Sequence, residues 1–70
     1  MEVIKGNGYE TLPPNYTGLH LIDDIYFEYV VDGKMVSFGW WKESDYLAIL
    51  KNEYPEAYET LIGAILSGKQ

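Results

Sequence analysis

The rhythm of hydrophobic and polar positions along this chain changes near residue 43. Before it, apolar residues crowd together and are mostly β-branched or aromatic. Ile25-Tyr26-Phe27-Glu28-Tyr29-Val30-Val31 is followed by Asp32-Gly33, and then by Lys34-Met35-Val36-Ser37-Phe38-Gly39-Trp40-Trp41. Residues of this kind fit a pleated surface. Asp-Gly suits a two-residue type I′ turn, whose central positions both need positive φ. The pattern predicts a β-hairpin over 25–31 and 34–41. A regular ladder from that turn pairs Val31 with Lys34, Tyr29 with Val36, Phe27 with Phe38 and Ile25 with Trp40, all facing the core. The other face then carries Tyr26, Glu28, Val30, Met35, Ser37, Gly39 and Trp41, a mixed rather than polar set. His20-Leu21-Ile22 reads as a third strand, with Asp23-Asp24 as the bend that leads into the hairpin.

After residue 43 the period lengthens. Ser44 suits a helix N-cap, and Asp45 puts a negative charge in the first turn. Tyr46, Leu47, Leu50 and Tyr54 form an apolar stripe at helical spacing, widened by Ile49. Pro55 disfavours helical geometry in the residue before it and is itself welcome in a first turn, so one helix ends and another begins there. Tyr58, Leu61, Ile62 and Ile65 continue the helical period, and Gly68 suits the end. The helices are placed at 44–53 and 55–67. The resulting fold class is α+β: a small antiparallel sheet built around the hairpin, followed by two short helices on one face. Residues 1–70 are read as one small domain.

The first 19 residues have less pattern. Val3-Ile4-Lys5 reads as a short strand and Asn7-Gly8 as a turn joining it to residues 9–12. Pro13-Pro14 favours extended backbone outside a ladder. Residues 15–18 read as loop, with Leu12, Tyr16 and Leu19 as anchors on an edge of the core.

Composition narrows the chemistry. The chain has no cysteine, so neither a disulfide nor a thiolate metal site can staple a domain of only 70 residues. Stability has to come from packing, alone or with self-association. Five lysines and no arginine against eleven acids give a net charge of −6. That balance disfavours phosphate backbones and anionic membranes, and permits a basic protein partner. Residues 1–5 lack the pattern of a secretory leader, and no apolar run approaches the roughly 20 residues of a membrane helix. A cytoplasmic location is therefore expected, and the Asn15-Tyr16-Thr17 glycosylation pattern is read as chance.

Candidate reactive groups are sparse. Gly6-Asn7-Gly8 lacks the lysine and hydroxyl of a phosphate loop. His20 has no nucleophile motif beside it. With Asp23 and Asp24 it makes a weak cation cluster, because β geometry turns positions 20 and 23 apart; a solvated bend is the expectation. Eleven acids always offer carboxylate pairs, so a small hydrolase is the most remote alternative. No catalytic residue, metal ligand or cofactor is assigned, and the chain is read as a non-enzyme.

Three binding surfaces remain. Glu28, Asp32, Glu43, Asp45, Glu53, Glu56 and Glu59 could mimic a phosphate backbone and inhibit a basic cleft, although Lys34, Lys42 and Lys51 interrupt them. Tyr26 and Trp41 could stack bases, but no basic residues accompany them. The leading surface is the outer hairpin face, with Tyr26, Val30, Met35 and Trp41 as candidate protein-binding residues. The N-terminal segment, a second copy or a different protein would cover it. The expected function is a small acidic protein-binding module, a modulator or inhibitor of a larger protein. A structural homodimer subunit is the other alternative.

Overall fold

The computed structural model describes residues 1–6, 12–22 and 25–67. Four strands precede two helices: β1 (Glu2–Lys5), β2 (Gly18–Ile22), β3 (Tyr26–Val31), β4 (Lys34–Trp40), α1 (Ser44–Glu53) and α2 (Pro55–Ser67). They form one four-stranded sheet in the order β1-β2-β3-β4 with two helices after it, the α+β arrangement read from the residue pattern. The sheet is mixed rather than wholly antiparallel, because β1 runs parallel to β2 while the other pairs are antiparallel. The Asn7-Gly8 turn and the Asp23-Asp24 bend lie outside the described residues.

The hairpin turn is the expected one. Asp32 and Gly33 both take positive φ, at 51° and 79°. A side chain at residue 33 would strike the Pro14 carbonyl, so glycine is required there twice over. The chain before β2 is pinned across this turn: the Gly33 N–H donates to the Tyr16 carbonyl at 2.8 Å, and the Asp32 N–H to Thr17 Oγ1 at 2.8 Å.

Beyond the turn the register departs from a regular ladder. Val31 pairs with Lys34 and Val30 with Met35, but Tyr29 pairs with Ser37, Glu28 with Phe38, Phe27 with Gly39 and Tyr26 with Trp40. Val36 is an extra residue, a β-bulge, and it shifts the phase of the rest of the strand. The expected pairs Tyr29–Val36, Phe27–Phe38 and Ile25–Trp40 are therefore corrected. Ser37, Gly39 and Trp41 turn toward the helices, while Phe38 and Trp40 turn outward. The cause is packing. Tyr46 of α1 lies so close to Gly39 that a Cβ there would meet the Tyr46 Cβ at 2.6 Å. Only glycine opposite Phe27 lets α1 settle onto the sheet, and the bulge delivers glycine to that position.

The core lies between sheet and helices. Leu19, Leu21 and Phe27 from the strands meet Leu50, Ala57 and Leu61 from the helices, and Val3, Tyr29, Trp41, Tyr46 and Tyr54 pack around them. The first helix opens without the expected cap. Glu43 occupies the N-cap position with no side-chain hydrogen bond, and Ser44 is already helical. Tyr54, at φ −138° and ψ 70°, breaks the helix before Pro55, as the proline predicts. The whole is a thin slab of 29 × 28 × 17 Å.

Candidate functional site

The sheet has one face against the helices and one facing away. On the outer face, alternation places Gly18, His20 and Ile22 of β2, Tyr26, Glu28 and Val30 of β3, and Met35, Phe38 and Trp40 of β4. This face is closed on one side and open on the other. Toward β2 it is closed: Val30 is 5% exposed, His20 0% and Glu28 1%. Tyr16 is buried next to Gly18, and its hydroxyl donates to the Leu19 carbonyl at 2.7 Å.

His20 and Glu28 form a buried pair. His20 Nδ1 lies 3.2 Å from Glu28 Oε1, and His20 Nε2 lies 2.8 Å from the Gly6 carbonyl. The expectation of a solvated bend is corrected for His20, which sits in the middle of β2 opposite Glu28. The cross-strand partner supplies the carboxylate that lets an imidazole be buried. This pair lies buried within the closed part of the sheet. Among the described residues, no group of three or more His, Asp or Glu side chains is placed to hold a metal ion.

Along β4 the outer face is open. Met35, Phe38 and Trp40 are its successive outward positions, and they are 49%, 47% and 43% exposed. Tyr26 joins them into an aromatic cluster, its ring centroid 6.3 Å from Phe38 and 5.3 Å from Trp40. The Trp40 ring also stands edge-on to Tyr46, 5.6 Å away, at the margin of the sheet. Burial holds the Tyr26 hydroxyl above the usual tyrosine range, with the negative charge of Glu28 adding to it. Val36, at the bulge, is also exposed.

Of the four candidate residues, Tyr26 and Met35 lie on this open strip. Val30 is on the same face but covered. Trp41 is displaced by the bulge: it packs against the core, with the Lys42 ammonium 5.6 Å from its ring centroid. Phe38 and Trp40 take its place outside. The signal that could have found them is Gly39, since glycine inside a strand marks a bulge or a close backbone approach.

An open groove of about 280 Å³ lies between the helices, lined by Ser44, Leu47, Ala48, Lys51 and Tyr58. It brings together no acid–base pair. No described helix is long and apolar enough to cross a membrane. No protein-family model, curated protein or solved structure matches the chain, so the strip's chemistry has to be read from its own residues.

Proposed function

We propose that this chain is a small acidic protein-binding module that acts by occupancy, as a modulator of another protein, and that it docks through the strip of Tyr26, Met35, Phe38 and Trp40. One observation carries the reading. Every outward position of β4 after the hairpin turn is a large apolar side chain, and each is about half exposed. A solvated antiparallel face ordinarily alternates to polar residues. Trp, Tyr and Met are also enriched where interfaces concentrate their binding energy.

The test is a pull-down with the tagged chain beside Trp40→Ser and Phe38→Ser variants whose unfolding midpoints match the wild type. The expected result is a specific protein retained by the wild type and lost with either variant. Retention that is indifferent to both substitutions would move the docking surface elsewhere. Trp41→Ser is the wrong probe, because that ring packs on the core and its loss unsettles the fold. Phosphate mimicry by the exposed acids of the helices is separated by salt. It predicts steep weakening as ionic strength rises, whereas docking on the strip changes little.

A further inference from the structure

We infer that the occupant of the β4 strip, when no other partner is present, is a second copy of this chain, the two outer faces meeting about a two-fold axis. This rests on the reading of the strip as a docking surface and names its partner.

Charge placement is the first argument. The chain carries a net charge of −6, which resists self-association. Yet the charges at the two ends of β4 cancel: Asp32 and Lys34 at the turn, Lys42 and Glu43 at the far end, all exposed. A two-fold axis across β4 runs the two strands antiparallel. It brings the turn end of one copy to the far end of the other, and since neither end carries a net charge the pairing meets no like-charge repulsion there. Asp45, Glu53, Glu56 and Glu59 ride on the helices, behind the sheet, and stay on the outside of the pair.

Area is the second argument. Large side chains present about 200 Å² each, so Met35, Phe38 and Trp40 at half exposure, with parts of Tyr26 and Val36, leave roughly 400 Å² of apolar surface per copy. That is a large patch for an 8.0 kDa chain. Two such patches contribute roughly 800 Å², short of the roughly 1,200 Å² at which standard specific interfaces begin. A patch that pairs with itself is what an isologous contact requires. A contact of that size implies a reversible dimer rather than an obligate one. Self-association and docking of another protein on the same strip then exclude each other.

Sedimentation equilibrium across a concentration series tests this with the full chain. The expected result is a mass rising toward twice 8.0 kDa for the wild type. Phe38→Lys and Trp40→Ser should weaken association by about 10-fold or more. Leu66→Ser, which changes an exposed apolar residue on α2, should leave it unchanged. Circular dichroism confirms that each variant is folded. A monomer at every concentration overturns the inference. So does a dimer that survives both strip substitutions, or one that Leu66→Ser dissolves. The docking reading fails separately, if the pull-down retains nothing that depends on Trp40.

Discussion

At the scale of single residues, the buried pair on β2 and β3 rests on contacts at both nitrogens of the imidazole. The Gly6 carbonyl can only accept, so His20 Nε2 carries a proton. The other ring nitrogen, Nδ1, faces a Glu28 carboxyl oxygen at 3.2 Å. Glu28→Gln should retain much of this contact, since an amide N–H can donate to Nδ1. Glu28→Ala removes the partner and is expected to cost about 3 kcal/mol in urea unfolding. Equal losses from the two variants would refute the hydrogen-bond account. The tyrosines make a second prediction. Burial, then the nearby Glu2 charge, raises the Tyr16 hydroxyl above the usual tyrosine range, and burial followed by Glu28 does the same for Tyr26. A raised folded value means that the unfolded chain ionises first. The stability held by these hydroxyls is complete below about pH 10 and lost as pH rises through the folded values. Thermal melts across that window should fall more gently for Tyr16→Phe than for the wild type.

At the scale of elements, the turn, both helices and their proline boundary were legible because each rests on local chemistry. Asp32-Gly33 meets a φ requirement, the stripe from Tyr46 to Ile65 follows the helical period, and Pro55 restricts its neighbour. The bulge was not legible from alternation. Met35, Val36, Phe38, Trp40 and Trp41 are all apolar, so either phase of β4 offers a plausible inward set. The choice is made across the fold by Tyr46, which needs a glycine beneath it. Because that phase decides which aromatics meet solvent, the candidate site was half legible: Tyr26 and Met35 were found, and Trp41 stood where Trp40 belongs. The parallel pairing of β1 was hidden for a similar reason, since three residues such as Val3-Ile4-Lys5 carry no sign of direction. Gly39→Ala tests the packing account. The new methyl overlaps Tyr46, and the expected cost is about 1–3 kcal/mol, read as a lowered urea midpoint. Tyr46→Ala in the same background should relieve only part of that cost, because residue 46 keeps its Cβ and residue 39 keeps its φ of 156°; a Gly39→Ala chain as stable as the wild type would mean that the close approach does not set the register.

At the scale of the whole molecule, a two-layer slab 17 Å thick has little interior to spare. Chains of this length hold roughly 4–10 kcal/mol of stability in total, so the loss expected from Glu28→Ala is a large part of it. Four of the eleven acids, Asp45, Glu53, Glu56 and Glu59, ride on the helices behind the sheet, and the β4 strip is an apolar surface in an acidic molecule. The parallel contact between β1 and β2 also sets an order of assembly. β3 and β4 are joined by two residues and can zip from their turn, whereas Glu2 has to find Gly18 across the whole intervening chain. Parallel strands cannot be closed by a tight turn, and the entropy of that longer loop must be spent before any ladder bond forms. β1 therefore docks late and opens early. Its amides should exchange with deuterium through local opening, while those of β3 wait for global unfolding. Each such opening also withdraws the Gly6 carbonyl from His20. Fraying at one edge of the sheet thus reaches the histidine at its centre, and native-state exchange should register the two events at the same rate.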